Sequence, residues 1–157
     1  MLAVLYESLD AAEAREKRVA SLLLQRVRRT PVYTHLLTVP GFGPVVCPIF
    51  VALIDDPWRF PDKRHLWSYA GLALRRRTSG SAKHVQEGGS RGGNRLLQYA
   101  AMLAAHTAMK GDNRFARHAR EMIASGVEKA MAMRTAARNI LAAALAIWKN
   151  GTVYHTD

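Results

Sequence analysis

The chain has 157 residues, 49% of them hydrophobic, and a formal charge of +11 at pH 7. Those values fit one compact domain with a real core and exclude a disordered polymer. The excess charge asks for a polyanionic partner, nucleic acid first and an anionic membrane surface second, while the single cysteine, Cys47, excludes an intrachain disulfide framework and fits a reducing, cytosolic setting.

Residues 1–29 are predicted to be one helix. Leu2, Leu5, Leu9, Ala12, Val19 and Leu23 fall near a 3–4 spacing, no Gly or Pro interrupts them, and Glu16 breaks the stripe. The polar positions turn basic towards the end (Lys17, Arg18, Arg26, Arg28, Arg29). Half of a coiled coil, pairing with a second copy, or a long connecting helix both fit. The abrupt start at Met1 suggests that something larger once preceded it. Acids come early and the charges follow the apolar stretch, an order unlike a signal peptide.

Pro31 punctuates the chain. "VYTHLLTV" (32–39), "PGFGP" (40–44) and "VVCPIFVALI" (45–54) then read as helix, tight hairpin, helix. Gly41 and Gly43 permit positive φ and close approach to a ligand, while Pro44 is expected to sit in the first turn of the next helix and Pro48 to kink or shorten it. Cys47 reads as a small buried hydrophobe. The hairpin has the form of a helix-hairpin-helix element, whose Gly-x-Gly turn presents backbone N–H groups to a phosphate oxygen. A plain tight corner fits the same residues.

"DDPWRFPDKRHLWSYAGL" (55–72) reads as a loop and a short helix, with Asp62 as N-cap and Leu66, Trp67 and Tyr69 packing inward. Next comes "RRRTSGSAKHVQEGGSRGGNR" (75–95), with six cations (Arg75, Arg76, Arg77, Lys83, Arg91, Arg95) and one acid, Glu87. Three readings compete: a solvated loop, a phosphate-docking loop, or a site where a serine attacks a DNA phosphate under guanidinium stabilisation. Beyond Asn94 three alanine-rich helices are expected, at 95–109, 113–124 and 127–149. The last carries an apolar stripe (Ile140, Leu141, Ala144, Leu145, Trp148) spaced for burial. Its run Ile140–Trp148 is too short to span a bilayer. No segment alternates like a strand, so the fold class is all-α: a coiled-coil-like connecting helix (1–30) and a helical domain (31–157) containing the hairpin.

The six histidines (His35, His65, His84, His106, His118, His155) show no metal-ligand spacing, so no metal site is expected. His106 reads as a core or groove histidine and His84 as a candidate phosphate contact. Trp58, Phe60, Trp67 and Tyr69 fit either base stacking or a core cluster, and core is the preferred reading. The methionines of the later helices fit packing.

The ordered landmarks "PGFGP", "RF" (59–60), "YAGL" (69–72), "SG" (79–80) and "SRGGNRLL" (90–97) resemble the C-terminal transposase domain of the insertion-sequence one-ten/one-sixteen/nine-oh-two family, the bridge-RNA-guided recombinases. The resemblance runs from Leu36 to Tyr154, and the first helix is similar to that family's coiled coil. It implies DNA transposition through a serine covalently joined to a DNA phosphate, with a structured RNA selecting the DNA partners. It places the nucleophile at Ser79, with Ser81 as fallback. Arg75, Arg76, Arg77, Lys83, Arg91, Asn94 and Arg95, with Gly41 and Gly43, become nucleic-acid contacts. The family pairs this domain with an N-terminal ribonuclease-H-like domain whose acidic quartet binds magnesium. That domain has no counterpart here, and Asp55, Asp56 and Asp62 cluster too tightly to replace it. Leu74 stands where the family has Pro, and Gln98 where it has Arg. The expectations are a cytoplasmic, nucleoid-associated DNA-binding protein: a separately expressed serine domain, a truncated frame or a remnant. It needs no cofactor of its own and no membrane, and its partners are DNA, a guide RNA and a second copy. The rival is a non-catalytic nucleic-acid-binding module.

Overall fold

The computed structural model describes residues 1–73 and 92–155. Among them there are seven α-helices, one 3₁₀ turn and no strand, so the chain is all-α. The helices are α1 (Leu2–Val27), α2 (Pro31–Leu36), α3 (Val46–Ile54), α4 (Lys63–Tyr69), α5 (Arg95–Ala108), α6 (Arg114–Ala124) and α7 (Lys129–Asn150). A 3₁₀ turn, Pro57–Arg59, joins α3 to α4.

Helix α7 is the centre of the bundle, packing against α2, α4, α5, α6 and the 3₁₀ turn. Its stripe behaves as its spacing predicts: Ile140, Leu141, Ala144 and Leu145 are buried, and Trp148 meets the ring of Phe50 at 6.0 Å. Phe50 in turn takes Phe42 edge-on at 5.2 Å. Each fully buried Ile, Leu or Phe contributes roughly 1.5–3 kcal/mol by leaving water. By length and composition α7 is the one described helix that would also pass for a membrane span, yet 56% of its most apolar stretch is buried inside the bundle.

Polar caps set the helix starts. Asp62 Oδ1 accepts from the backbone N–H of Arg64 (2.7 Å) and His65 (3.0 Å), as its position predicts. Buried Asn113 spends both ends of its amide: Oδ1 accepts from Phe115 and Ala116, and Nδ2 donates to the Ala108 carbonyl (2.7 Å). It thereby locks the end of α5 to the start of α6. Gly151 closes α7 in the left-handed conformation, φ 62°.

Two local expectations, at Pro48 and Pro44, are corrected. Pro48 neither kinks nor shortens α3, because it is the third residue of that helix, where its missing N–H would have no intrahelical acceptor. Pro44 lies in the turn just ahead of α3, spanned by Cys47 N–H donating to the Gly43 carbonyl (3.0 Å). Of the two hairpin glycines only Gly41 has positive φ, +91°. A Cβ there would sit 2.1 Å from the Ala104 carbonyl oxygen of α5, so the hairpin touches α5 backbone to backbone. At Gly43 a Cβ would meet nothing within 4 Å. The bend after α3 is strained: Asp55 has φ 60°, ψ −66°, and Asp56 N–H donates to the Ile54 carbonyl (2.7 Å), a γ-turn of the rare positive-φ kind.

Cys47 is buried, and burial pushes its thiol up to about 12, which fits the inert hydrophobe expected. Helix α1 differs in kind from the rest. Residues 1–22 are exposed, including Leu2, Leu5, Leu9 and Val19. Only its last turn, at Val27, is buried.

Two outcomes check this fold. Gly41→Ala lowers unfolding free energy by about 2 kcal/mol or more, through the Ala104 clash and positive φ, whereas Gly43→Ala leaves it unchanged or raises it by up to about 1 kcal/mol; denaturant titrations compare them. The second concerns Asp62, whose carboxyl is held down at about 2 against an ordinary 3.8, chiefly by the His65 side-chain hydrogen bond. A depressed carboxylate stabilises the fold above its ordinary range and loses that contribution as pH falls towards 2. In His65→Ala the Asp62 titration, followed by NMR, moves back up towards 3.8.

Candidate nucleic-acid interface

The basic serine segment is gripped at both ends. Its N-terminal root is the end of α4 with Tyr69–Leu72, and its return is Gly93–Asn94 leading into α5. Asn94 N–H donates to the Tyr69 carbonyl (2.7 Å). The two strands of chain pass so closely that a Cβ on Gly93 would lie 2.3 Å from Gly71 Cα. Gly71 itself has φ 68°. Gln98 Nε2 donates to the Gly71 carbonyl (3.3 Å), and Asn94 Nδ2 to the Tyr69 hydroxyl (3.3 Å). Residues 73 and 92 therefore leave and re-enter the bundle at one place, at the head of α5.

Helix α7 braces this root from beneath. Arg138, buried in its middle, donates through Nη1 to the Leu72 carbonyl (3.3 Å) and through Nη2 to Thr135 Oγ1 (2.7 Å). Its own carbonyl accepts from Trp67 Nε1 (2.8 Å). Around the root, Phe60 and Tyr69 pack ring to ring at 5.4 Å, and the Arg59 guanidinium lies 5.7 and 6.0 Å from their centroids.

The predicted site residues fall as follows. Ser79, Ser81, Arg75, Arg76, Arg77, Lys83, Arg91 and His84 lie outside the described residues. Asn94 is the N-cap of α5, its Oδ1 accepting from Leu97 N–H (3.0 Å), and Arg95 is the first, exposed residue of that helix. Gly41 faces α5 and Gly43 faces open space. Hairpin and loop root thus meet the same helix, nine residues or about 14 Å apart along it.

The aromatic cluster divides. Phe60 is buried, and Trp67 and Tyr69 are half-buried, as a core cluster requires. Trp58 departs from that reading: it is 68% exposed, with Lys149 Nζ 5.1 Å from its ring. His106 is likewise exposed rather than in the core. Asp56 caps Trp58, Asp62 caps α4 and Asp55 makes the γ-turn. Among the described residues no three His, Cys, Asp or Glu gather to hold a metal.

Sequence reasoning passed over Arg138 and Gln98 as parts of this root. The available signal at Arg138 was a lone cation between two stretches of the buried α7 stripe. Nothing in spacing paired it with Leu72, which lies far away in the chain.

Residues 33–120 match the family described as "Transposase IS116/IS110/IS902 family". That stretch is more than half of the chain, and the chain belongs to this family. A protein of Streptomyces coelicolor, "Insertion element IS110 uncharacterized 43.6 kDa protein", is 29% identical over 152 residues, covering 97% of this chain and 37% of that protein. A "Pilin gene-inverting protein" of Moraxella bovis is 35% identical over 85 residues, 52% of this chain and 26% of the relative. One from Moraxella lacunata is 37% identical over 70 residues, 45% and 22%. The chain spans well under half the length of each of these curated relatives.

The root can be tested on its own. Gly93→Ala must push Gly71 away, so amide exchange at Asn94 accelerates on the order of tenfold as its bond to Tyr69 weakens. Exchange measured by NMR should show protection in the middle of α7 unchanged.

Proposed function

We propose that this chain is the DNA-binding, serine-bearing part of a transposase or recombinase. The observation that carries the proposal is the family match, which includes the whole basic serine segment. Its support from the fold is the root at Gly71 and Gly93, which holds the segment's two ends together at the head of α5. The relatives named for an insertion element and for pilin gene inversion point to the same work, DNA rearrangement.

In this reading Ser79 Oγ attacks a backbone phosphorus. An Oγ–P ester forms, one P–O bond to a sugar breaks, and the released sugar oxygen takes up a proton. The phosphoryl group stays at ester level, so the strand can be rejoined without an outside energy source. Arg75, Arg76, Arg77, Lys83, Arg91 and Arg95 neutralise the strand and the charge developing at phosphorus. Asn94 positions the return of the loop rather than touching the reacting atoms, since its amide oxygen is committed to the α5 cap. The exposed apolar stripe of α1 supports pairing with a second copy. A guide RNA that selects the DNA and a nucleoid-associated, cytoplasmic setting belong to the same proposal.

The alternative is a non-catalytic nucleic-acid-binding module. The open surface at Gly43 favours it, because a phosphate could reach the hairpin backbone there without any serine chemistry. A covalent adduct separates the two. The chain is incubated with DNA and a separately supplied acidic nuclease-type domain, then resolved under denaturing conditions. The unchanged chain is expected to carry a DNA adduct, and Ser79→Ala none, with equal duplex affinity for both. No adduct from the unchanged chain would leave the module reading in place. Arg76→Ala is expected to flatten the salt dependence of binding by about one unit of slope.

A further inference from the structure

We infer that the exposed face of α5 binds an unpaired DNA strand, with Tyr99 as the platform on which a base stacks; this rests on the DNA-binding reading above and extends it to a second surface. Arg95, Tyr99, Leu103 and His106 follow one another at three- and four-residue steps, so they form one line along the helix, and exposed Lys110 follows two residues past its end. Tyr99 is 59% exposed and Leu96 beside it 51%. The opposite face, Leu97, Ala100, Ala101, Ala104, Ala105 and Ala108, is the one buried in the bundle. Burial therefore does not explain the tyrosine.

Chemistry selects the occupant. Helix α5 contains no acid. Asp112, the next acid along the chain, lies 3.4 Å from Arg117. The line runs from a guanidinium at Arg95 through an aromatic ring to His106, with the ammonium of Lys110 in the turn just beyond the helix. The Tyr99 ring contacts no other ring among the described residues, and its hydroxyl makes no hydrogen bond with them. Cations flanking a free ring are what a single strand requires: phosphates are neutralised while a splayed base covers the ring. Paired bases keep their faces inside the duplex and cannot do this. A second copy of the chain is a poorer occupant. Two such faces meeting about a two-fold axis would set cation against cation with no acid on the helix to answer. Two exposed apolar side chains also fall far short of the roughly 800 Å² per partner that a stable interface buries.

The test uses the full chain with a fluorescein-labelled oligothymidylate and, separately, a mixed-sequence duplex. Tyr99→Ala is expected to weaken single-strand binding by about tenfold, and Tyr99→Phe by no more than about twofold. Duplex affinity and the salt slope stay as in the unchanged chain, since no charge is removed. Tyr99→Leu, which keeps apolar bulk without a ring, loses as much as Tyr99→Ala and guards against a folding defect in either. Equal single-strand affinity in the unchanged chain and Tyr99→Ala, with duplex binding intact, overturns this inference alone. Failure of the unchanged chain to bind either probe overturns it together with the DNA-binding reading. A shift from dimer to monomer in sedimentation for Tyr99→Ala, without loss of oligonucleotide binding, assigns the face to a second copy and also overturns it.

Discussion

The contact between Gly71 and Gly93 leaves no room for a side chain on Gly93, and most of what matters about the site follows from it. Two stretches of backbone separated by the whole basic segment are forced to within atomic contact. A segment with six cations and a single acid would, unanchored, be driven apart by its own charge. Joining its ends at the root removes the loop-closure part of the entropy that would otherwise oppose ordering around a ligand. The hydrogen bond from Asn94 to Tyr69 and the one from Gln98 to Gly71 reinforce the same crossing. Glycine is needed because the approach is backbone to backbone, and at Gly71 because φ is positive as well.

The crossing is stable only because of what lies under it. A buried guanidinium is costly unless its donors are used, and Arg138 uses them on the Leu72 carbonyl and Thr135. The same residue's carbonyl receives the Trp67 indole N–H. One position on α7 therefore fixes the outgoing end of the loop and orients the short helix α4 beside it. Lys149 does a comparable job further along α7, donating to the Phe60 carbonyl while its ammonium lies over Trp58. The central helix is apolar where it meets α5 and α6 and cationic where it meets irregular backbone with free carbonyls.

Periodicity made the helices legible. The stripe of α7, the cap at Asp62 and the breaks between α5, α6 and α7 all express local rules, and the structure follows them within a residue or two. Pro48 misled because its cost depends on register: two residues of helix ahead of it put it in the first turn, where the cost vanishes. The hairpin glycines stayed open for a different reason. Gly-x-Gly reads the same whether the small residue serves a phosphate or a neighbouring backbone, and only the position of Ala104 shows which Gly41 does. Arg138 and Gln98 were illegible as loop supports because their partners lie on other elements. No local rule encodes a hydrogen bond across such a separation. Exposure misled at Trp58, since residue type alone says little about which face of an element will be covered.

The stretch that matches the family ends at residue 120, before α7 begins. The matched helices nevertheless bury their apolar faces on α7: Phe50 against Trp148, α4 through Trp67, α5 through its alanine face. The serine segment is likewise held at Leu72 by an α7 side chain. The matched stretch therefore includes the basic serine segment, whereas part of the support for that segment's root comes from outside the match. The same division explains why α5 is so alanine-rich on one face and so differently populated on the other. Small residues let it lie close to α7 and to the Gly41 hairpin, and that close packing leaves Arg95 and Tyr99 on the outward face.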